Sequence, residues 1–345
     1  IHKTDNAMLR SLVGSEMCIR DSKMTQTQIY FDDSFKDHVS SLDYPERTDR
    51  VKNIIDLINN EEFKNISIIK PNKVDYSHIY EAHDKRFVDE TLDRFPKDEQ
   101  IVFLDQETPV SRGSFEATLK AAGAGIDAAD NVINKKCMNA FCIVRPPGHH
   151  ACYDRSMGFC VFNNVAISAK YLINRYGLEN IAIIDFDVHH GNGTQDIFYE
   201  NSKVHYYSTH QYPLYPGTGD TNEKGVGNIV NVPLQAGTNS SQYQSAFDEM
   251  IIKKLHDQKP DFLILSAGFD AHEKDPLASL ELLENDFKLI TQKLMSIADK
   301  YCDNRIISML EGGYDIQALE NSMITHISCL LYTSDAADEG LGVDL

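Results

Sequence analysis

Four short aliphatic segments, each followed at once by glycine and polar residues, most constrain how this 345-residue chain can fold. The segments are AFCIV at 140–144, IAIID at 181–185, DFLILSAG at 261–268 and RIISML at 305–310. Short apolar runs separated by helical patterns are typical of buried parallel strands in an α/β sheet. Ligand sites in such sheets form beyond the carboxyl ends of the strands. We therefore expect the residues that follow the four segments to meet at one edge of the sheet.

The rest of the chain continues this alternation of strands and helices. QIYFD at 28–32 predicts a first strand, and RVKNIIDLINN at 50–60 predicts a helix because its apolar residues recur at helical spacing. The segment 111–134, rich in alanine and glycine, predicts a long helix that neighbouring backbone can approach closely. We find no internal repeat and no low-complexity linker, so residues 24–329 are predicted to form one domain.

The two ends of the chain fit nothing around them. SLVGSEMCIRDS at 11–22 and LLYTSDAADEGLGVDL at 330–345 resemble translated adaptor sequence. We therefore expect residues 1–23 and 330–345 to be non-native extensions, with Met24 as the natural start. A genuine disordered tail is the alternative.

The amino-acid composition limits which cellular compartment and which binding partners we expect. The chain carries 33 basic and 52 acidic residues, and this net charge of −19 disfavours binding to nucleic acid or to an anionic membrane. It contains no apolar run long enough to span a membrane and no secretory signal pattern. Its seven cysteines include no CxxC pair, which favours a reducing compartment over a disulfide framework. We expect a cytoplasmic protein.

The segment DFDVHHGNG, at the end of the second apolar run, places carboxylates and an imidazole at alternate positions. Asp185, Asp187 and His189 point to the same side if the strand continues through them. Neighbouring buried carboxylates repel unless a cation neutralises them, and oxygen and imidazole ligands suit zinc or another first-row metal. Asp270 occupies the equivalent place after the third apolar run. The alternative is that Asp185 caps a turn while Asp187 and His189 are solvated loop residues.

Two adjacent histidines follow the first apolar run, on a backbone restrained by two prolines and a glycine. His149 and His150 suit general acid and base roles near neutral pH. Asp185 and Asn192 are candidate partners, a carboxylate to raise the basicity of one histidine and an amide to orient the other. Tyr314, on the glycine turn after the fourth run, is placed to donate a hydrogen bond to a developing oxyanion. The plainer interpretations are a surface histidine pair and a packing tyrosine.

Weaker signals concern the walls of a substrate channel. Gly158 and Phe159 in SMGFCVFNN are candidates for an apolar wall, although core packing explains them equally well, and Tyr215 in YPGTGD is a candidate for the mouth. No GxSxG or GxxxxGK[ST] motif is present. Cys152 and Cys160 are better explained as small buried residues than as nucleophiles.

Taken in order, several of these motifs together resemble the histone deacetylase family, whose superfamily includes acetylpolyamine amidohydrolases and acetoin-utilisation proteins. The motifs are RPPGHH, GFCVFNN, DFDVHHGNG, STHQYPLYPGTGD, SAGFDAHEKDPL and LEGGYD, and the resemblance covers roughly residues 40–320. It implies the arginase–deacetylase fold, a single α/β domain with a central, mostly parallel sheet of about eight strands flanked by helices. It also implies hydrolysis of an N-acetyl amide.

The resemblance assigns ligand roles to several residues. The residues that match the zinc ligands are Asp187, His189 and Asp270. Asp185 matches the partner of His149 and also, with Ser208, the ligands of a structural potassium ion. The implied cofactors are therefore Zn²⁺, with Fe²⁺ as the alternative metal in the cell, and K⁺.

The same resemblance implies catalytic and substrate-binding roles. His149 and His150 match tandem acid–base histidines, and Tyr314 matches a tyrosine that polarises the substrate carbonyl. Phe159 and Tyr215 match residues of the tunnel walls, and Arg47 matches a residue that lines an internal product channel.

Four departures refine the expected substrate. Asn192 stands where one large branch has aspartate, and EGGYD replaces a four-glycine version, which together indicate the class II-like and bacterial branch. Glu107 lies where some members use aspartate to grip the substrate backbone. Leu277 replaces the glutamate of a polyamine-selective type, which favours an acyl-lysine side chain.

These observations predict zinc-dependent deacetylation of acetyl-lysine in a protein or peptide. One alternative is the same chemistry on a small acetylpolyamine. A second is an arginase-like ureohydrolase, which would need two metals. A third is a catalytically silent module that binds an acyl ligand, although every residue that matches a zinc ligand or the His–His–Tyr set is intact.

Overall fold

A computed structural model, which describes residues 25–39 and 44–331, is built around one parallel sheet. The strands, in chain order, are β1 (Thr25–Tyr30), β2 (Ile66–Ile69), β3 (Val102–Phe103), β4 (Pro109–Val110), β5 (Cys137–Cys142), β6 (Ile181–Asp185), β7 (Val204–Gln211), β8 (Ile229–Leu234), β9 (Phe262–Ala267) and β10 (Ile306–Leu310). The main sheet has eight strands in the order β2-β1-β5-β10-β9-β6-β7-β8, and β3 pairs with β4 separately. The predicted fold class is confirmed.

The four aliphatic segments form the four consecutive strands β5, β10, β9 and β6 of this sheet. All of their pairings are parallel, so their carboxyl ends lie at the same edge. Strands β6, β9 and β10 are buried along their whole length, which explains their continuous apolar runs. At the end of β6, Asp185 is in register with Ser208 of β7 and Ser266 of β9.

Helices cover both faces of the sheet. They are α1 (Ser34–Asp37), α2 (Asp49–Lys52), α3 (Ile54–Ile58), α4 (Tyr76–Ala82), α5 (Lys85–Asp93), α6 (Ser114–Ile133), α7 (Asn164–Tyr176), α8 (Asn192–Phe198), α9 (Ser240–Phe247), α10 (Lys253–Gln258), α11 (Glu284–Tyr301) and α12 (Ile316–Leu331). A 3-10 turn spans Glu61–Phe63, and a π-helical turn, Asp248–Ile252, joins α9 to α10. None of the helices in the described part of the chain has the length and apolar character needed to cross a membrane.

Adjacent residues of β10 identify the two helical layers. The Met309 side chain lies against Ser168 of α7, whereas the Ser308 hydroxyl bonds to His326 Nε2 of α12 at 2.9 Å. Because successive strand residues point to opposite faces, α7 and α12 cover opposite sides of the sheet. Helix α6 packs beside α7, and α11 packs beside α12.

Two helix predictions have different outcomes. The small-residue helix forms as α6, and at Gly123 an added Cβ would overlap the Asn72 carbonyl, so a larger side chain would push that neighbouring backbone away. The helix predicted over 50–60 is instead two short helices, α2 and α3, which meet at Asn53. The Asn53 amide donates to Glu320 of α12 at 3.1 Å, so a tertiary contact holds the break.

At the carboxyl end, α12 runs two residues past the predicted boundary at 329. Leu330 and Leu331 are buried, and the Leu330 carbonyl accepts hydrogen bonds from Thr27 and Asn139. The remainder of the predicted extensions, 1–23 and 332–345, lies outside the described residues.

Candidate metal and catalytic site

Asp187, His189 and Asp270 converge beyond the ends of β6 and β9. One donor atom from each lies within 4.8 Å of the others, and all three residues are buried. His189 Nδ1 is 3.2 Å from Asp187 Oδ1 and 3.0 Å from Asp270 Oδ2. The sequence placed these residues at one edge of the sheet, and the structure brings their donor atoms to a common point.

Backbone groups hold the two carboxylates in place. The Gly312 N–H donates to Asp187 Oδ2 at 2.7 Å, and the Val188 N–H donates to Asp270 Oδ1 at 2.8 Å. A Cβ built at Gly312 would overlap carboxylate oxygens of both aspartates. The glycine turn after β10 therefore approaches the two carboxylates more closely than a residue with a side chain could.

The charges in this cluster fit a bound cation. Burial, together with the negative charge of Asp187, raises the pKa of Asp270 to about 7. Burial opposes protonation of His189, but the two aspartates outweigh it and raise the pKa of His189 to about 10. A divalent ion relieves the same repulsion, and two carboxylates with one imidazole are donors that zinc or ferrous iron accepts while leaving a coordination position open.

His149 has a carboxylate partner. Its Nδ1 lies 3.0 Å from Asp185 Oδ2, and the Tyr206 hydroxyl donates to the same oxygen at 2.9 Å. Burial acts to lower the pKa of His149, but the carboxylates of Asp185, Asp187 and Glu311 raise it well above the ordinary value. These carboxylates therefore favour the imidazolium form of His149.

His150 has an amide partner. Its Nδ1 lies 2.8 Å from Asn192 Oδ1, an oxygen that only accepts, so Nδ1 carries the hydrogen and Nε2 keeps a lone pair. Burial, with the positive charges of His149 and His189, lowers the pKa of His150 well below the ordinary value. The adjacent rings, whose centroids are 4.0 Å apart, thus have opposite protonation preferences.

The candidate wall residues Phe159 and Tyr215 lie against Tyr314 and His150, respectively. The Phe159 ring makes edge contacts with Tyr314 at 5.9 Å and with Tyr44 at 5.3 Å. The Tyr215 ring lies 5.1 Å from that of His150 and 6.3 Å from that of His189. Tyr215 thus lies beside His150 and the metal-ligand candidate His189, and Phe159 lies between Tyr44 and Tyr314.

The turn at Gly158 passes directly over His150. Gly158 has φ +57°, and a Cβ there would press on the His150 ring. The next residue, Phe159, also has positive φ, +69°, a conformation that costs energy for a bulky side chain. The turn thus confines His150 and turns the Phe159 ring towards Tyr314.

The two candidate specificity residues lie further out. The Glu107 carbonyl accepts from the Tyr44 hydroxyl at 3.1 Å, and Glu107 lines, with Tyr215, a groove of about 740 Å³. Leu277 is 36% exposed, and Asp275 links it to the site because that carboxylate accepts from the backbone N–H groups of Leu277 and Tyr314. Glu107 thus lines the groove, whereas Leu277 is connected to Tyr314 through Asp275.

Arg47 and Arg50 differ in their surroundings. The Arg47 side chain is 42% exposed and pairs with Asp49 at 3.6 Å, and its assignment to a product channel stays a prediction. Arg50, three residues on, is fully buried, donates to the carbonyls of Glu311 and Gly313, and lies 5.0 Å from the Tyr314 ring centroid. Arg47 precedes α2 and Arg50 lies within it, and the two arginines look alike in PERTDR.

Two buried carboxylates were missed by sequence reasoning. Glu46 pairs with Arg50 and Arg145, and although burial opposes this, the arginines lower the pKa of Glu46 to about 2. Glu311 accepts the backbone N–H groups of Gly148 and His149 and the Ser266 hydroxyl. Its place directly after β10, ahead of two glycines, was the available signal.

Asp185 and Ser208, the predicted potassium ligands, are neighbours across β6 and β7. The Ser208 hydroxyl lies 2.9 Å from His210 Nδ1, and Asp185 Oδ1 accepts the Asp187 N–H at 3.2 Å. His190, to which the sequence assigned no role, is buried and bonds to Thr218 and Gln195, so it anchors the loop that carries Tyr215.

Comparison with known proteins gives consistent results. Residues 44–330 match the sequence model of the histone deacetylase domain. A probable deacetylase of Archaeoglobus fulgidus is 41% identical over 298 residues, which are 84% of this chain and 82% of that protein. A histone deacetylase-like amidohydrolase of Pseudomonas aeruginosa is 38% identical over 216 residues, covering 61% of this chain and 57% of that protein. The crystal structure of the HDA15 HD domain is similar, with a TM-score of 0.83 and 32% identity over 89% of this chain and 88% of that one.

Proposed function

Because this chain belongs to the histone deacetylase family, we propose that it hydrolyses the acetyl amide of acetyl-lysine in a protein or peptide. The observation that carries the proposal is the pairing of a buried Asp–His–Asp cluster with two histidines of opposite protonation preference. An amidohydrolase needs a base for water, a proton for the leaving amine and a stabilised oxyanion, and these groups supply each of them.

Asp187, His189 and Asp270 would hold the metal, proposed to be Zn²⁺ with Fe²⁺ as the alternative in the cell. A divalent metal there supplies Lewis-acid polarisation of the acetyl carbonyl and lowers the pKa of a water molecule. Asp185 and Ser208 are proposed to bind a structural K⁺ behind this cluster.

His150 is proposed as the general base. With its hydrogen on Nδ1, towards Asn192, the Nε2 lone pair takes a proton from water. That proton is then available on Nε2 for the leaving amine. The low pKa of His150 favours its release.

His149 is proposed to stay protonated throughout. Its Nε2 lies 3.9 Å from Asp187 Oδ2, and Asp185 holds its Nδ1. The imidazolium charge beside the cluster stabilises negative charge that develops in the transition state.

Tyr314 is proposed to donate its hydroxyl hydrogen to the tetrahedral oxyanion. Burial raises the pKa of Tyr314 well above the ordinary value, so the hydroxyl keeps its proton, although the cation of Arg50 acts in the opposite direction. Phe159 and Tyr215 would flank the aliphatic stem of the substrate, with Gly158 closing the wall over His150.

The choice of acetyl-lysine over an acetylpolyamine is supported by Leu277. Leu277 is an exposed apolar side chain and contributes no charge that would bind a second ammonium group. Glu107, which lines the groove with Tyr215, is proposed to meet the substrate backbone. Turnover of an acetyl-lysine peptide should exceed that of acetylputrescine, and the reverse order would favour the polyamine alternative.

Replacing Tyr314→Phe or His150→Ala tests the catalytic roles. Each should lower kcat on an acetyl-lysine reporter by about a hundredfold or more while bound metal stays stoichiometric. Tyr199→Phe is a matched control, since Tyr199 is an exposed tyrosine on α8's C-terminal flank. Full activity in either site variant would overturn the assigned roles, and a metal-free purified protein would revive the silent binding module.

A further inference from the structure

Two sulfur atoms face the amide that holds His150. The Asn192 Nδ2 atom lies 3.2 Å from Cys152 Sγ and 3.3 Å from Met157 Sδ, while Oδ1 of the same amide faces His150 Nδ1. Cys152 is buried, and both sulfur residues belong to the segment directly after the tandem histidines. The proposed mechanism leaves these contacts unexplained.

The chemistry of the sulfurs determines which end of the amide faces them. A thioether can only accept a hydrogen bond, so Met157 Sδ favours the NH₂ end of Asn192 over its oxygen. The Cys152 thiol points to the His150 carbonyl at 3.6 Å, and its sulfur lone pairs remain for the amide. Burial raises the pKa of Cys152 to about 11, so the thiol keeps its hydrogen for that contact.

The opposite orientation of Asn192 would change His150. If the amide turned over, its NH₂ group would face His150 Nδ1, and that nitrogen would have to accept. The ring hydrogen would then sit on Nε2, the atom that must take a proton from water. A histidine in that tautomer cannot serve as the base.

We propose that Cys152 and Met157 are positioning residues that hold the Asn192 amide in one orientation and thereby keep His150 in the tautomer with a free Nε2. This inference rests on the proposed role of His150 as the general base. The sulfurs touch neither metal nor substrate in this scheme, and they act through Asn192.

Removing the sulfur acceptors tests the proposal. Met157→Leu conserves volume, and Cys152→Ala removes the thiol, so each should lower kcat about threefold and the double variant about tenfold, as expected for weak hydrogen bonds. Cys152→Ser is the matched control, because its hydroxyl both donates and accepts, and it should retain nearly the parent kcat. Met157 also lines the groove beside Tyr215, and a loss confined to KM would therefore assign it to substrate binding and overturn the proposal.

An Asn192→Asp background separates positioning from packing. A carboxylate presents an acceptor to His150 whichever way it is turned, so Met157→Leu should change kcat in that background by less than about 1.5-fold. Equal effects of Met157→Leu in both backgrounds would show that the sulfur acts by packing alone.

The tautomer can be observed directly, without an activity measurement. In protein labelled with ¹⁵N at histidine, long-range ¹H–¹⁵N spectra show which nitrogen of His150 carries hydrogen, and His150→Ala identifies the signal. We expect hydrogen on Nδ1 in the parent and a substantial Nε2–H population in the double variant. An unchanged tautomer would overturn the positioning proposal. A changed tautomer with unchanged kcat would support positioning and instead refute the base role of His150.

Discussion

His149 and His150 are neighbours in the chain, share one buried turn and differ chiefly in what their Nδ1 atoms meet. The first meets the carboxylate of Asp185 at 3.0 Å, and the second meets the amide of Asn192 at 2.8 Å. A carboxylate stabilises the imidazolium, whereas an amide orients the ring without adding charge. The carboxylate of Asp185, with those of Asp187 and Glu311, therefore favours protonation of His149, whereas burial and the positive charges of His149 and His189 oppose protonation of His150.

Removing the Asp185 carboxylate should have the largest effect on the difference between His149 and His150. In Asp185→Asn the pKa of His149 falls. As pH rises, the imidazolium of the variant therefore loses its proton at a lower pH than that of the parent protein does. The basic limb of the kcat/KM profile should move to lower pH, with a loss of about a hundredfold at pH 8. Rate measurements between pH 6 and 9 provide the test.

Tyr206→Phe is the matched control for this change, because it removes a hydroxyl from the same Asp185 oxygen and keeps the carboxylate. It should shift the basic limb less than Asp185→Asn does. If Asp185→Asn lowered kcat/KM by the same factor at every pH and left the basic limb in place, that result would contradict the role of Asp185 in setting the protonation of His149.

Giving His150 a carboxylate partner, as His149 has, should have a smaller effect on kcat/KM. In Asn192→Asp the new carboxylate raises the pKa of His150, so the base is already protonated at a higher pH. The acid limb should therefore move upward, with a loss of about tenfold at pH 6 and little change at pH 8.5. An acid limb that stays in place, with metal content unchanged, would show that the amide does not govern the basicity of His150.

His326, a buried histidine outside the pair, extends the comparison to stability alone. It lies between hydroxyls of Thr291 and Ser308, with no carboxylate partner among the residues that the structure describes, and burial lowers the pKa of His326 to about 3. Between about pH 6.5 and 3 the unfolded chain binds a proton at this position and the folded chain does not, so stability falls as pH falls.

His326→Gln should remove that dependence. The slope of the unfolding free energy against pH should become shallower by about 1 kcal/mol per pH unit on average between pH 6.5 and 5. Denaturant unfolding at a series of pH values measures it, and the two curves should run parallel above pH 7.5. Equal slopes below pH 6.5 would contradict a neutral buried His326. Activity at neutral pH should be unaffected.

Much of the site could be predicted because it depends on strand ends. Aliphatic runs identify the four central strands, and the parallel arrangement requires the residues after them to share an edge. This is why Asp187, His189 and Asp270 could be grouped across a long stretch of chain.

Other features could not be predicted because local pattern does not report them. Arg47 and Arg50 lie three residues apart in one polar segment, and only packing against Gly313 and Glu311 distinguishes the buried one. Similarly, the break at Asn53 depends on Glu320, which lies far away in the chain. Cys152 and Met157 look like ordinary apolar residues until the fold places them against Asn192.

By itself, the sequence determined the α/β class, the four central strands and the set of residues able to bind a metal or transfer protons. Periodicity and composition record those properties directly. Only the tertiary structure decided how that set is divided: which imidazole meets a carboxylate, which arginine is buried, and which backbone N–H groups hold Asp187 and Asp270. Each of these depends on contacts between segments far apart in the chain, such as Gly312 with Asp187, and a linear pattern contains no record of such distances.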